Sequence, residues 1–272
     1  MNSTRRNAIG KLMTGLGACA VIASGCAELG GVPGLPGLPG FGDTTVLMRE
    51  GEDLYRAKRY DEAITRFKMV IAREPLNWLA WLWLARTYIV RGLWGDAIDS
   101  GRRAFQLSPQ GADVLPVFLQ ALFGGGMQAL NGGNFTESIK HLSEYLKLDA
   151  GNGSAWLNVG KAYLGSKQYG DALQSLVRAL GTTGISGVDR NETLGAILSG
   201  GTQAFRDREF GGAVSMLGEY VKHDPRNLQA YLTLAKSYWE SGQRGGALEA
   251  FTNALRISPA NGEALQYLLK LR

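Results

Sequence analysis

Residues 44–261 predict an all-α solenoid of six helix-turn-helix units, arranged as three 75-residue double units and closed by a capping helix at 262–272. Three observations carry that expectation. Small residues and helix breakers recur 34 positions apart, as in Ala63 and Ala97, or Pro75 and Pro109. A longer period lies above the first: Trp81, Trp156 and Tyr231 are each 75 apart, as are Leu122 and Ile197, and Tyr145 and Tyr220. Between the breakers Ala and Leu recur at helical spacing, which makes amphipathic helices whose apolar stripes are buried only against neighbours.

Composition agrees. Hydrophobic residues make up 45% and charged residues 19% of the 272, enough for a folded core and against global disorder. The formal charge of +5 is concentrated at the start. Without residues 1–25, which hold Arg5, Arg6 and Lys11 and no acid, 26 basic residues face 24 acidic ones. That balance argues against a nucleic-acid partner, which calls for a dense basic face.

The first element, residues 1–25, reads as an export signal. Its basic start is followed by an uncharged stretch from Leu12 to Ser24, too short for a bilayer span, which takes roughly 20 residues. This is the layout of a secretory signal peptide. Its end, Ile22-Ala23-Ser24-Gly25-Cys26, resembles the bacterial lipobox, with Ala23 where Leu is commoner. The resemblance implies that Cys26 is acylated and becomes the first mature residue. Cys19 leaves with the signal, so no internal disulfide is available. Thr4-Arg5-Arg6 with Ile9 weakly resembles a twin-arginine signal, but the general secretory route fits better. Ala27 suggests the outer membrane by analogy with enteric lipoproteins. The expected location is therefore the outer membrane, lipid-anchored and facing the periplasm, with the cell surface as the alternative.

Residues 26–43 read as the lipidated Cys and its tether. The run Gly31 to Gly40 carries Gly every third residue with Pro33, Pro36 and Pro39. Three triplets are too few for a collagen helix, so an extended Pro-rich spacer is expected, reaching up to roughly 50 Å from the lipid.

The units then follow at 44–77, 78–111, 119–152, 153–186, 194–227 and 228–261, with seven-residue insertions at 112–118 and 187–193. Trp81, Leu84, Tyr88, Ala97, Ala104 and Pro109 mark the second unit. Trp156, Val159, Gly160, Tyr163, Ala172 and Ala179 mark the fourth, and Tyr231, Leu234, Tyr238, Ala247, Phe251, Ala254 and Pro259 the sixth. This pattern at 34-residue spacing resembles the tetratricopeptide-repeat (TPR) family, and the resemblance implies a right-handed solenoid that binds proteins. Seven residues are close to two helical turns, so the insertions are expected to lengthen the first helices of units three and five, with a kink or break possible at Pro116. Gly124-Gly125-Gly126 and Gly200-Gly201 fall inside those helices and point to close backbone packing. Leu265, Leu268 and Leu269 are expected to cover the last unit.

Catalytic constellations are lacking. His141 and His223 lie in different units, off metal-ligand spacing, and read as surface helix residues. Asp61-Glu62, Glu137 and Asp171 sit at starts of second helices, where acids suit the helix dipole. No enzyme activity, metal or cofactor is expected.

The family resemblance places the first helix of each unit on the concave side. The positions at its ligand-facing sites are Met48 and Tyr55, then Leu82, Arg86 and Ile89, then Phe123, Met127 and Leu130. Leu157, Lys161 and Leu164 follow, then Leu198 and Phe205, and finally Leu232, Lys236 and Trp239. Most are apolar, with a basic residue every 75 positions, and they lack the Lys/Asn pattern that clamps a terminal carboxylate. Such a groove suits an amphipathic helix or extended segment carrying acids at intervals; side chains packed between helices would be the plainer explanation. Self-association is open. The function expected is a non-catalytic scaffold on the outer membrane that recruits or positions components of an envelope assembly, such as a pilus, secretion or outer-membrane protein machine. The six-unit layout resembles that of type IV pilus pilotins. The alternative is a regulatory accessory to a cell-wall or polysaccharide enzyme.

Overall fold

The computed structural model describes residues 43–183 and 187–271. The signal, Cys26 and most of the tether lie outside the described residues, so those expectations are untouched by it. Within the described residues there are thirteen α-helices and no strand. They are α1 (Thr44–Arg56), α2 (Tyr60–Arg73), α3 (Trp78–Val90), α4 (Trp94–Leu107), α5 (Val114–Asn131), α6 (Phe135–Leu148) and α7 (Gly153–Gly165). After these come α8 (Tyr169–Leu180), α9 (Gly187–Arg206), α10 (Phe210–His223), α11 (Leu228–Glu240), α12 (Arg244–Ile257) and α13 (Gly262–Leu271). Helices α1 to α12 form six antiparallel pairs, each docked on the next, the all-α solenoid that the repeats predict.

The turn inside each pair is built one way throughout. Lys58, Gly92, Gly133, Lys167, Arg208 and Gly242 take φ between 60° and 75° at the same place in the six units. Glycine adopts this left-handed conformation freely, and the three basic residues hold it at a cost. Between pairs the chain passes Pro75, Pro109, Pro225 and Pro259, all outside helices. Asn77, Asn152 and Asn227 then start α3, α7 and α11: each side-chain oxygen accepts the amide three residues on, at 2.9–3.1 Å, the usual N-cap bond.

Inside the pairs, small residues set the spacing. Ala63, Ala97, Ser138, Ala172, Ala213 and Ala247 are all fully buried on the second helices. A methyl group on Gly126 would meet Leu142 at 2.6 Å, and one on Gly201 would meet Leu217 at 2.7 Å. The mid-helix glycines are thus points of close approach, which offset the cost of about 1 kcal/mol that Gly carries within a helix.

First helices α1, α3, α7 and α11 have 13 residues, whereas α5 has 18 and α9 has 20. Pro116 falls in the first turn of α5, where its missing amide hydrogen has no carbonyl to lose. The helix therefore begins near Pro116 without breaking there.

The end cap differs from expectation. Tyr267, not Leu265 or Leu269, closes the array: its ring stacks on Phe251 at 4.8 Å and meets Trp239 edge-on at 5.3 Å. Ala264 and Leu268 pack beside it, whereas Leu265 and Leu269 are 44% and 69% exposed. In α13 the stripe at positions 264, 267, 268 and 271 faces the core, and residues 265 and 269 lie off it.

Candidate protein-interaction groove

Successive first helices touch one another from α1 to α11, whereas among second helices such contact is substantial only between α8 and α10. The first helices therefore form the tighter, inner wall. Most of the predicted groove residues lie on it half-buried: Tyr55, Ile89, Phe123, Met127, Leu130, Leu164, Leu198, Phe205 and Trp239. Their aromatic members are steadied from behind. Phe123 meets Tyr145 edge-on at 5.7 Å, Phe205 lies 5.8 Å from Phe210, and Tyr55 lies 5.4 Å from Trp83.

Two groups need correction. Leu82, Leu157 and Leu232 are only 2% exposed, and Met48 9%. Leu82 shares a buried cluster with Val114 and Val117 of α5, Leu157 one with Ala196 and Ile197 of α9, and Leu232 one with Ala264 of α13. These three leucines seal one first helix to the next and present nothing to a ligand. The basic ladder is also occupied. Arg86 pairs with Asp113 at 2.8 Å, Lys161 with Glu192, and Lys236 with Glu263 at 2.9 Å. Asp113 and Glu192 come from the two insertions and Glu263 from the cap, so the extra segments carry the counter-charges. Arg86 also lies 5.0 Å from the Trp83 ring, and Lys236 5.9 Å from that of Phe205. The ladder is a set of bridges along the wall, not a row of free cations.

An open groove of about 420 Å³ lies between the end of α7, the start of α8 and the middle of α9. Leu164 and Leu198 supply its apolar surface, and Ser199, Thr202, Gln203 and Arg206 its polar rim. The three α9 positions 199, 202 and 206 recur at helical spacing and so share one face. Arg206 donates to Gln203 Oε1 at 3.2 Å and has no carboxylate paired with it among the described residues. Tyr169 is drawn aside: its hydroxyl donates to Asp207 at 2.6 Å, and Lys167 and Gln203 reach the same carboxylate at 3.0 Å. Burial, then the Asp207 bond, push the Tyr169 hydroxyl up to about 12, and the Tyr169 bond, with Lys167, holds Asp207 low. Sequence reasoning missed Ser199, Thr202 and Arg206 because it followed the 75-residue pattern, and their counterparts are the non-polar Gly124 and Met127 and the uncharged Asn131.

His141 is not a surface residue. Its side chain is 16% exposed, Nε2 lies 3.2 Å from Glu137, and Nδ1 is buried without a partner. No cluster of three or more metal-ligating side chains occurs among the described residues.

The tetratricopeptide-repeat family model matches residues 48–112, 123–184 and 198–262, well over half of the chain. The cytochrome c-type biogenesis protein CycH of Pseudomonas aeruginosa is 28% identical over 149 residues, 54% of this chain and 34% of that protein. The chain thus spans about a third of the length of that curated relative. Among solved structures, the crystal structure of MamA protein covers 79% of this chain and 92% of its own, at 19% identity and a TM-score of 0.38. That of PilW, a widely conserved type IV pilus biogenesis factor, covers 83% and 98%, at 19% identity and a TM-score of 0.34.

Proposed function

Because the chain belongs to the tetratricopeptide-repeat family, we propose that it is a non-catalytic scaffold of the bacterial envelope, anchored through Cys26 in the outer membrane and facing the periplasm. It recruits or positions components of an envelope assembly, such as a pilus, secretion or outer-membrane protein machine. The observation that carries the binding role is the inner wall: apolar side chains half-buried on consecutive first helices, opening at α7–α9 into a groove where Arg206 has no carboxylate partner among the described residues. A partner segment with apolar anchors and a carboxylate fits it, since the apolar residues supply contact area and Arg206 supplies orientation. The lipobox-like end of the leader supports membrane attachment, where several acyl chains on one Cys hold stably. Likeness to a protein named for cytochrome c-type biogenesis supports an assembly role.

The test is co-purification of the acylated chain from membranes with partners cross-linked in place. Arg206→Glu should reduce partner capture about tenfold with little change in folding, as reversal of an interfacial charge commonly does. Leu82→Ala should do the opposite and cost about 2–5 kcal/mol of stability, as for other buried leucines. A folded Arg206→Glu protein that retrieves the same partners at full strength would refute the groove as the binding site.

A further inference from the structure

The α2–α3 loop with the first residues of α3, Glu74 to Leu79, recurs 75 and 150 positions later as 149–154 and 224–229. All three copies share one scaffold. Asn77, Asn152 and Asn227 cap the following helix, and Asn77 and Asn227 also bond the acids Glu74 and Asp224 that open their loops. The copies differ in what they display. Where the second has Gly151, Gly153 and Ser154, and the third Arg226, Leu228 and Gln229, the first has Leu76, Trp78 and Leu79. Leu76 is 70% exposed and Leu79 38%; Trp78 is half-buried, with one side of its ring against the cluster of Leu82, Val114 and Val117. The shared scaffold forms with Gly or Arg at position 76 and Ser or Gln at 79, so the fold does not call for apolar residues there.

The position of the first copy matters. The hydroxyl of Thr44, in the first turn of α1, donates to Glu74 at the root of this loop. Residues 1–42, with Cys26, join the described chain at Asp43, one residue before. Of the three copies, then, the apolar loop is the one at which the segment carrying the anchor enters the fold.

We propose that the α2–α3 loop is a membrane-contact site, in which Leu76, Trp78 and Leu79 seat in the lipid surface; this rests on the lipoprotein reading above. Tryptophan combines an apolar body with a polar edge and is enriched at that boundary. Three side chains alone would bind weakly. A short tether changes the problem, because it holds the loop at an effective concentration on the order of millimolar near the lipid. The carboxylate of Glu74 is already engaged by Thr44 and Asn77, so the contact is apolar and should persist at high salt.

The experiment uses the acylated mature chain in vesicles of phosphatidylethanolamine and phosphatidylglycerol. With Cys19 removed and Cys26 blocked by its lipid, Leu76→Cys provides a single thiol for an environment-sensitive fluorophore. Arg226→Cys, in the third copy, is the control. The probe at 76 should shift to the blue and be quenched by brominated acyl chains, and the probe at 226 should do neither. Equal behaviour of the two probes with Cys26 acylated overturns the proposal, as does a shift at 76 caused by soluble envelope proteins and not by vesicles. Mass analysis of Cys26 tests the anchor separately. If Cys26 carries no lipid, the anchor reading fails alone, and flotation of the Cys26→Ser chain with the same vesicles decides the loop. There L76R/L79Q, the residues of the third copy, should lower vesicle binding about tenfold, from the loss of two leucines. Unchanged flotation overturns it.

Discussion

Units three and five occupy equivalent places in successive double units and fill them differently. In unit three the Trp94 ring lies against Gly124, where an added methyl would stand only 2.0 Å from it. In unit five the corresponding pair is Tyr169 and Ser199, and Tyr169 is drawn to Asp207, leaving the groove open. On the next helix the contrast reverses. Unit three buries Ser138 Oγ and His141 Nδ1 without partners, whereas unit five places Ala213 and Met216 there, both fully buried. One backbone register thus accommodates either a sealed junction with polar atoms stranded behind it or an open one over an apolar core. Whether the junction is open follows which side chain occupies it, not the fold.

The largest effect is expected when the unit-five pair is built into the junction at Gly124. Gly124→Ser alone should cost about 2–3 kcal/mol by overpacking against Trp94, read by urea denaturation. Adding Trp94→Tyr should recover most of that loss, with a coupling above about 1 kcal/mol in the double-mutant cycle. Additive effects would mean that the two positions do not act as a pair.

A smaller effect is expected at His141. His141→Met, the residue of unit five, should gain about 1–2 kcal/mol by removing a stranded ring nitrogen. Burial, the leading cause, holds the imidazole below its ordinary 6.5; Glu137 and Glu144 oppose this, and Lys140 and Arg102 add to it. The unfolded chain therefore takes up the proton first. The stability contributed by neutral His141 is complete above pH 6.5 and is lost as pH falls from there through the lower folded value. Denaturation midpoints at several pH values between 7 and 5 should decline in the native chain, and that decline should shrink in His141→Met. Parallel profiles would remove His141 as the cause. Glu137, Glu219 and Asp224 are held below their ordinary ranges, so they act at lower pH.

The smallest change is Ser138→Ala, the residue of the other five units at this position. It should raise stability by about 1 kcal/mol, because a buried hydroxyl without a partner is replaced by a methyl group. A loss on calorimetry would show that the hydroxyl is satisfied in solution.

The repeat period, the small buried positions and the lengthened first helices were legible in the sequence because each depends on residues a fixed distance apart. Leu82, Leu157 and Leu232 were misplaced for a related reason. They recur faithfully and look like ligand positions, yet what covers them arrives from a later helix: α5 for Leu82, α9 for Leu157 and the cap α13 for Leu232. The acids of the ladder do not all keep one offset either: Asp113 and Glu263 lie 27 positions after Arg86 and Lys236, but Glu192 lies 31 after Lys161. Tyr267 was passed over as the cap because three leucines around it carried the stronger apolar signal. The α7–α9 opening was illegible because it is made by a departure from the repeat.

Ties between residues close in sequence bear on how the array is made as well as on how it holds together. Arg102 reaches Glu144, 42 positions on, and Tyr169 reaches Asp207, 38 on, while each helix rests on its next or next-but-one neighbour. A chain emerging amino terminus first thus never waits long for what completes it. Each pair can settle while the following one is still being made, at little loop-closure cost. An apolar stripe is exposed only until the next helix arrives, which shortens the interval in which a half-made chain can aggregate.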